Sequence, residues 1–402
     1  MQRNLEKMKI KLAIIFGGKS PEHEISVISA LQTASAADTN KYEIVPIYIT
    51  KKGLWYSGAA LLVLENYKNP EKLLTLCDKI WVTESSDENA IYKYPVKTFF
   101  GKETFLTNID VVLPVLHGAH GEDGAIQGLF ELMNIPYAGC NVLASAIGMD
   151  KIAMKIMYQS LGLPMVDFIH FFSSDWIRDT QEVLNKVQTK LGFPVIVKPA
   201  DLGSSIGISK ANNIEELRES IDNAVQFSRK VLIEKAIVNL KEVNCSVLGD
   251  YESAQPSVCE EPVVKSDKIL SYNEKYVNQG GKKGSSGMAT LKRRIPADIP
   301  ESMAADIQKM ALRGFQGTDC SGVARIDFLI DMDNNNVYVN EINTIPGSLS
   351  FYLWEKTGID FTALVDKLVK LAQKKHREKN NLNFSFDQNI FNLSGSKLGG
   401  KK

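Results

Sequence analysis

The chain has 402 residues, of which 44% are hydrophobic and 23% are charged, and its 47 Lys and Arg residues balance its 47 Asp and Glu residues. A zero net charge excludes a strong overall field for nucleic acid or for an anionic membrane. The apolar content excludes disorder as the main state. No apolar run approaches the roughly 20 residues of a membrane helix, and residues 1–9 do not resemble a secretory signal. We therefore expect a cytoplasmic protein with about two or three globular domains.

Cysteine is sparse and scattered in the sequence, with no close-spaced pair. An odd, scattered set argues against a disulfide framework and against a zinc site. We expect free thiols that are mostly buried. The five residues are Cys77, Cys140, Cys245, Cys259 and Cys320.

The first part of the chain alternates strand and helix patterns, which is typical of an α/β domain. The apolar run 11–16 leads through residues 17–20, of sequence GGKS, into a helical pattern. Ser20 is predicted as the N-cap of this helix, with Pro21 in its first position and Glu22 in its first turn. The next elements are predicted as strand 42–50, helix 71–76, strand 110–116 and helix 126–133.

From about residue 149 the pattern changes to that of a second, smaller α+β region. This region is predicted to contain helix 149–159, strand 163–172, a strand–loop–strand unit over 193–210 and strand 231–237. A third region begins near Glu242 and includes a polar, glycine-rich loop at 278–288 that we expect to be mobile. Its other elements are predicted as helix 302–313, strands 322–330 and 337–343, and helix 360–374, before a polar tail.

The two strands of the third region form the strongest local signal for chemistry. Alternate side chains of a strand share a face, which groups Arg325 with Asp327 and groups Val339, Glu341 and Asn343. If the asparagine-rich turn between the strands is central, Asp327 lies opposite Glu341 and Arg325 lies opposite Asn343. Two facing carboxylates repel unless a cation compensates them, and carboxylate and amide oxygens suit Mg²⁺. The alternative is a solvated polar face with a surface Arg–Asp pair.

A second signal is the segment 198–207, which begins with Lys198 and is rich in glycine and serine. Glycines and hydroxyls let backbone N–H groups approach phosphate oxygens closely. Lys198, at the end of a strand, could meet the phosphate charge. The alternative is an ordinary glycine–serine turn.

A third signal is the GGKS segment before the first helix. It is not a P-loop, because Ala13 stands where that motif requires glycine. What remains is Glu22 at a helix N-terminus. It either complements the helix dipole or grips a cationic ligand.

A fourth signal is the segment 116–124, which follows a buried strand and holds His117 and His120 among glycines. Loops at the carboxyl ends of strands line ligand crevices in open α/β sheets. The segment therefore predicts a ligand loop. Packing or surface histidines are the alternative.

These segments occur in an order that resembles the D-alanine–D-alanine ligases of the ATP-grasp superfamily, from about Lys11 to about Leu371. Each segment alone is weak, but together and in order they are specific. The segments are 17–26, 116–128, 137–139 with 149–151, 197–207, 272–276, and 324–328 with 340–347.

The resemblance implies an α/β, three-domain ATP-grasp fold in which the second and third domains sandwich ATP. The implied parts are an N-terminal α/β substrate domain at 1–140, a central lid domain at 141–238, a catalytic domain at 239–375 and a polar tail at 376–402. It also implies a homodimer.

The resemblance further implies ATP as a substrate and two Mg²⁺ or Mn²⁺ ions. The implied metal ligands are Asp327, Glu341 and Asn343. The implied ATP contacts are Lys151, Lys198, Ser205, Glu234, Lys235, Ile237, Glu242 and Lys275.

For the amino acids, the resemblance implies that Glu22 binds the first ammonium group and that His117 lies near the first carboxylate. Arg325 and the Gly347 amide would stabilise the tetrahedral intermediate. A hydrogen-bonded set that ties a closing loop to the substrate domain is implied at Glu22, Ser204 and Tyr276.

The implied activity is ligation of two D-alanines through an acyl phosphate for peptidoglycan synthesis. The segment 348–354 is shorter than the family pattern, although Ser350 could replace the serine that binds the second carboxylate. One alternative is therefore a ligase that joins D-alanine, or another small amino acid, to a different amine. Another is a nucleotide-binding protein without turnover.

Overall fold

The computed structural model describes residues 8–83, 89–95, 105–263 and 293–383. These residues form three sheets with helices packed against them. The strands are β1 (Ile10–Gly17), β2 (Tyr42–Ile49), β3 (Trp55–Ser57), β4 (Asp78–Val82), β5 (Ala90–Lys93), β6 (Phe105–Asn108), β7 (Val111–Leu116), β8 (Phe168–Phe172), β9 (Val195–Pro199), β10 (Ser209–Ala211), β11 (Lys230–Lys235), β12 (Leu240–Gly249), β13 (Ala254–Pro262), β14 (Arg293–Arg294), β15 (Gly322–Asp331) and β16 (Asn336–Asn343).

The α-helices pack on one or both faces of each sheet. They are α1 (His23–Ala36), α2 (Pro70–Thr75), α3 (Ala125–Leu132), α4 (Val142–Met149), α5 (Lys151–Ser160), α6 (Ser173–Arg178), α7 (Thr180–Lys190), α8 (Ile214–Ala224), α9 (Glu301–Gly317), α10 (Phe351–Lys356) and α11 (Phe361–Asn380). Short 3₁₀-helices lie at Ala59–Leu62, Leu64–Lys68 and Gly347–Ser350.

The first sheet has the strand order β6-β5-β4-β3-β2-β1-β7, and β1 runs parallel to both β2 and β7. Side chains of β1 alternate between two cores, because successive residues of a strand point to opposite faces. Leu12 and Ile14 pack on the side of α1 and α11, whereas Ala13 and Ile15 pack on the side of α3. The carboxyl ends of β1 and β7 therefore meet, which brings residues 17–22 next to residues 117–124.

Helix α1 begins at His23 with Glu22 as its N-cap, so the prediction of Ser20 as N-cap is wrong. Residues before His23 form a tight turn instead, and Ser20 Oγ accepts a hydrogen bond from the Glu22 amide at 3.1 Å. The helix itself holds this turn: Gly17 N–H donates to Ser26 Oγ at 2.7 Å. Glu22 thus stands at the turn-to-helix corner rather than inside the first helical turn.

The second sheet is antiparallel, in the order β10-β9-β11-β8, and α7 and α8 cover one of its two faces. The helix predicted at 149–159 corresponds to α5, which begins only at Lys151 because Asp150 is extended and its side chain caps the helix. The predicted strand at 163–172 begins only at Phe168.

The third sheet is antiparallel, in the order β14-β13-β12-β15-β16, with α9 against one face. The predicted register is confirmed, since Asp327 pairs with Glu341 and Arg325 with Asn343. Phe328 pairs with Val339, however, so Asn340 is an extra residue in a β-bulge. The bulge turns Val339 into the core, and the prediction that Val339 shares the face of Glu341 is wrong because that prediction assumed unbroken alternation.

Helix α11, near the end of the described chain, packs against the first sheet and contacts residues of the N-terminal region. Tyr42 donates a hydrogen bond to Asp366 at 2.9 Å, and Lys375 Nζ donates to the Gly139 carbonyl at 2.9 Å. The helix continues past its predicted end at residue 374, and in this extension Lys379 forms an ion pair with Glu131. The cysteines are free, and all but Cys77 are buried.

Among the described residues, no helix combines the length and the apolar character that crossing a membrane requires.

Candidate active site

The hairpin of β15 and β16 presents a compact charged group. Arg325 grips Asp327 with two hydrogen bonds, from Nε to Oδ1 at 2.6 Å and from Nη2 to Oδ2 at 2.7 Å. Asn343 Nδ2 donates to Asp327 Oδ2 at 3.1 Å. Burial raises the pKa of the Asp327 carboxyl; Arg325 opposes this rise and the facing Glu341 adds to it. A hard cation at this face would relieve the repulsion between the two carboxylates.

The donor set of this hairpin fits Mg²⁺ by its chemistry. Asp327, Glu341 and Asn343 supply carboxylate and amide oxygens, the ligands that hard divalent cations prefer. In the part of the chain that the structure describes, no three His, Cys, Asp or Glu side chains form a metal cluster. A cation here would therefore rely on the Asn343 amide oxygen and on phosphate oxygens as further ligands.

Three lysines lie close to the buried carboxylate of Glu234 and the partly exposed carboxylate of Glu341. Lys151 Nζ donates to the Leu202 carbonyl at 2.7 Å and lies 3.6 Å from Glu341 Oε2. Lys198 Nζ lies 2.5 Å from Glu234 Oε2 and donates to Asn340 Oδ1 at 3.1 Å. Lys151 and Lys198, both predicted from the sequence, are thus brought to the hairpin of β15 and β16.

Lys155 is a member of this group that sequence reasoning missed. It forms an ion pair with the second oxygen of Glu234. Burial alone would raise the pKa of Glu234, but Lys155 and Lys198 outweigh burial and lower it to about 2. A signal existed in the sequence, because Lys155 is four residues after Lys151 and shares its helix face.

The loop between β9 and β10 has an unusual backbone. Ser204 and Ser205 both adopt positive φ angles, 54° and 59°, as does Gly207 at 71°. A side chain at Gly207 would meet Pro199 Cγ at 2.8 Å, so glycine is required there. Consecutive residues of this kind aim backbone N–H groups inward, which suits an anion such as phosphate.

This loop reaches the N-terminal domain through Glu22. Ser204 Oγ donates a hydrogen bond to Glu22 Oε1. A Cβ atom built on Gly118 would lie 3.0 Å from Glu22 Oε2, and one built on Gly203 would lie 3.1 Å from it. The Glu22–Ser204 pair predicted from the sequence is therefore present. Its predicted third member, Tyr276, lies outside the described residues, as does Lys275.

His117 is buried and fixed from both ring nitrogens. Its Nδ1 lies 3.0 Å from the Ile345 carbonyl and its Nε2 lies 3.2 Å from Ser29 Oγ. The tautomer with the proton on Nδ1 satisfies both contacts, because a carbonyl can only accept. Burial lowers the pKa of His117, although the charge of Glu22 opposes that change. His117 is thus a neutral ring between the loops that follow β7 and β16.

Glu122, which sequence reasoning did not single out, holds the same two loops together. One carboxyl oxygen accepts from the Gly118 amide at 2.8 Å and the other accepts from the Ile345 amide at 3.1 Å. Burial and the charge of Glu22 raise the pKa of Glu122 to about 8, although the two amides partly oppose this. The amide and the carbonyl of Ile345 are therefore both bound, by Glu122 and His117.

The segment after β16 ends in a left-handed turn. Ser348, Leu349 and Ser350 have φ angles of 50°, 53° and 51°. Non-glycine residues reach this region only at a cost of roughly 1–2 kcal/mol each. Ser348 is held by Ser29 and Gln32, whereas the buried Ser350 Oγ has no hydrogen-bond partner among the residues described. Gly347 opens this turn.

The remaining predicted ATP contacts lie along the connection from the second to the third sheet. Lys235 Nζ donates to the Phe193 carbonyl at 3.0 Å, which directs this side chain away from the lysine cluster. Ile237 is half-buried, and Glu242 lies exposed on β12 opposite Leu329. The charge of Glu242 reaches Lys198, since it helps to raise the pKa of that lysine.

Family models match both halves of the chain. The model "D-ala D-ala ligase N-terminus" matches residues 11–140, and the model "D-ala D-ala ligase C-terminus" matches residues 157–370. The chain belongs to the D-alanine–D-alanine ligase family. These matches confirm the expected fold and the ligase class.

Relatives in the D-alanine–D-alanine ligase family cover nearly the whole chain. The D-alanine–D-alanine ligase of Thermosipho africanus is 41% identical over 388 residues, which are 96% of this chain and 100% of that one. That of Acetivibrio thermocellus is 39% identical over 388 residues, 92% of this chain and 97% of that one.

Solved structures of the family agree with the fold. The D-alanine–D-alanine ligase of Coxiella burnetii has a TM-score of 0.74 at 29% identity, covering 93% of this chain and 97% of that one. The VanG D-Ala:D-Ser ligase of Enterococcus faecalis has a TM-score of 0.75 at 29% identity, covering 91% of this chain and 100% of that one.

Proposed function

We propose that the chain joins two D-alanines in an ATP-dependent reaction and so makes the dipeptide used in peptidoglycan synthesis. One observation supports this proposal: segments from the regions of all three sheets contact one another. Ser204 contacts Glu22, His117 contacts Ile345, and Lys151 contacts Glu341. The proposed amino-acid, phosphate and metal sites would therefore be adjacent, as transfer of phosphate to an amino-acid carboxylate requires.

The first step is transfer of the γ-phosphoryl group of ATP to the carboxylate of the first D-alanine. A carboxylate is a poor acyl donor to an amine, and the acyl phosphate is a good one. Phosphoryl transfer depends on alignment and charge neutralisation, which Lys151, Lys198 and the predicted Lys275 supply. Bound Mg²⁺ or Mn²⁺, held by Asp327, Glu341 and Asn343, would neutralise phosphate charge. Glu22 binds the ammonium group and His117 lies beside the carboxylate.

The second step is attack by the amine of the second D-alanine on the acyl carbon. The oxyanion that forms is stabilised by Arg325 and by the Gly347 amide, and phosphate then leaves. Glu122 and His117 support this arrangement because they bind the amide and the carbonyl of Ile345, two residues before Gly347 in the loop. Glu22, Ser204 and Tyr276 would hold the closed state that keeps water away from the acyl phosphate.

A different second substrate is the main alternative, and one feature favours it. The segment 348–354 is shorter than the family pattern, and Ser350 Oγ is buried without a partner among the residues described. A structural relative, VanG, is named a D-Ala:D-Ser ligase. We infer that Ser350 faces the second amino acid, whose identity this segment sets. The non-catalytic alternative is disfavoured because every described residue with a proposed catalytic role is intact.

The test is release of phosphate from Mg-ATP, first with D-alanine alone and then with a panel of second amino acids. Turnover with D-alanine alone and a product of dialanine mass supports the proposal. Turnover only with another amine present would assign the chain to the alternative. Persistence of Mg-dependent turnover in Glu341→Ala would contradict the metal assignment.

We also infer a cytoplasmic homodimer with the domain limits given above. The family resemblance supports the dimer, and light scattering of the purified chain tests it: a monomer mass at all concentrations would contradict the inference.

A further inference from the structure

Lys155 is one of the most buried charged groups in the described part of the chain. Its side chain is 1% exposed and its partner Glu234 is 2% exposed. Lys155 Nζ lies 5.3 Å from the ring centre of Phe168. An ammonium group in such a place is costly unless it is paired. The pairing with Glu234 must therefore serve a purpose that a smaller apolar residue could not.

The carboxylate of Glu234 is shared between two cations. Lys155 takes Oε1, and Lys198 takes Oε2 at 2.5 Å. Among the residues described, no other cation lies within ion-pair distance of Glu234. Lys198 is also the lysine that the proposed function assigns to the phosphates of ATP. To bind phosphate, it must share or give up its charge contact with Glu234.

Without a second cation, the movement of Lys198 from Glu234 to phosphate would leave the buried carboxylate of Glu234 unpaired. Removal of one partner from a buried ion pair is strongly destabilising, because the remaining charge has no compensation. Lys155 removes this obstacle, since it stays on Glu234 when Lys198 turns to the nucleotide. The hydrogen bond from Lys198 to Asn340, at 3.1 Å, already draws its Nζ toward β16.

We propose that Lys155 is a positioning residue that neutralises Glu234 and so frees Lys198 to bind the phosphates of ATP. This inference rests on the proposed function, because it uses the phosphate role of Lys198. Lys155 itself touches no phosphate in this scheme. Its effect is therefore confined to ligands that carry phosphate.

The experiment compares the binding of Mg-ATP and of adenosine to the full-length chain by calorimetry, in wild type, Lys155→Met and Lys155→Arg. Adenosine has no phosphate and does not compete with Glu234 for Lys198. In Lys155→Met we expect a loss of ATP affinity of roughly tenfold or more, with adenosine affinity unchanged. Lys155→Arg keeps the cation and should keep most of the preference for ATP. An equal loss for both ligands would assign Lys155 a purely structural role and overturn the proposal.

The double variant Lys155→Met with Glu234→Gln provides a second test. It replaces the Lys155–Glu234 pair by neutral groups, and it also removes the carboxylate from which Lys198 would have to move before it binds phosphate. Adenosine affinity should fall, because Glu234 is a proposed adenine contact, but the ratio of ATP to adenosine affinity should return to the wild-type ratio. A ratio clearly below the wild-type ratio would contradict the proposal, and this comparison with wild type stands even if the single variant does not fold.

The same data separate this proposal from the proposed function. If wild type binds ATP no more tightly than adenosine, the phosphate site and the proposed function fail together. If wild type prefers ATP and Lys155→Met keeps that preference in full, only the role of Lys155 is rejected.

Discussion

The two ends of the candidate active site are held by different forces. At the proposed phosphate end, Lys155 of helix α5 joins Lys198 and Glu234, which lie on the neighbouring strands β9 and β11, in a buried network of charges. At the amino-acid end, Glu122 and His117 bind backbone groups of Ile345, and the chain continues into a left-handed turn. Ion pairs hold the side chains of the first end in place, whereas the second end depends on hydrogen bonds to the backbone and on the left-handed turn.

This difference predicts which substitutions matter at each end. A change of charge should act strongly at the phosphate end and at the hairpin beside it. Addition of one methyl group should act strongly at the amino-acid end, where Gly118 and Gly203 lie close to the carboxylate of Glu22. The following substitutions test this division, in order of expected effect.

Arg325→Met should have the largest effect. It removes the proposed oxyanion contact and leaves the Asp327 carboxylate without the two hydrogen bonds of Arg325. Loss of one such donor lowers kcat by about 10²- to 10³-fold, which steady-state phosphate release would measure. Arg178→Met is the matched control, because Arg178 is 72% exposed in its pair with Asp175. Equal activity losses in the two variants would contradict the assignment.

Gly118→Ala should come next and should act on the first amino acid. The added Cβ would lie 2.7 Å from Ser20 Oγ and 3.0 Å from Glu22 Oε2. A displaced Glu22 should raise KM for D-alanine by about 10- to 100-fold, the scale of a misplacement near 1 Å. Gly53→Ala is the control, since Gly53 has a similar φ of +78° and open space around its Cβ position. A normal KM in Gly118→Ala would show that shape does not control this end.

Ser350→Gly should increase the stability of the protein while it weakens binding of the second amino acid. Glycine accepts the positive φ without strain, so the free energy of unfolding should rise by about 1 kcal/mol. Loss of the hydroxyl should at the same time raise KM for the second amino acid. Denaturant unfolding and steady-state kinetics measure the two effects.

Ser348→Gly is the matched control for this turn. Ser348 has the same backbone conformation, but its hydroxyl donates to Gln32 Oε1 at 2.7 Å. The gain from relieved strain should be offset by a lost hydrogen bond of about 1 kcal/mol. A larger stabilisation in Ser348→Gly than in Ser350→Gly would contradict the view that only Ser350 awaits a ligand.

The smallest expected effect is on the pH dependence of stability. Burial and Glu22 raise the pKa of Glu122 to about 8, above its ordinary value of 4.5. The folded state therefore holds a proton that the unfolded state has lost, so the free energy of unfolding falls as pH rises from about 4.5 to about 8. Glu122→Gln cannot titrate and should flatten this part of the curve. Parallel curves for wild type and variant would show that Glu122 is ionised throughout.

Much of the phosphate end could be predicted from the sequence, because strand alternation and a short turn fix which side chains meet. The pairing of Asp327 with Glu341 followed from that logic alone. The bulge at Asn340 could not be predicted, since alternation assumes an unbroken register. Lys155 and Glu122 were missed for another reason. The spacing of Lys155 from Lys151 indicates a shared helix face, but the partners Glu234 and Ile345 are distant in the chain and only the tertiary fold brings them near.

The amino-acid end was harder to predict. The left-handed turn at Ser348, Leu349 and Ser350 contains no glycine, so no local signal announces positive φ angles. The tertiary contacts of Ser348 with Ser29 and Gln32 hold it there. The N-cap of α1 was predicted wrongly for a similar reason. Ser26, a side chain of the helix, accepts a hydrogen bond from the Gly17 amide and so helps to fold residues 17–22 into a turn.

The most direct test of the account follows the oxygen atoms of D-alanine. With D-alanine labelled by ¹⁸O in its carboxylate and supplied with Mg-ATP, an acyl phosphate carries one labelled oxygen between carbon and phosphorus. Attack of the second amine on the acyl carbon breaks the carbon–oxygen bond, so the released phosphate keeps that oxygen. The account predicts one ¹⁸O in each phosphate formed with dialanine, measured by mass spectrometry. Dialanine formed with unlabelled phosphate would contradict it.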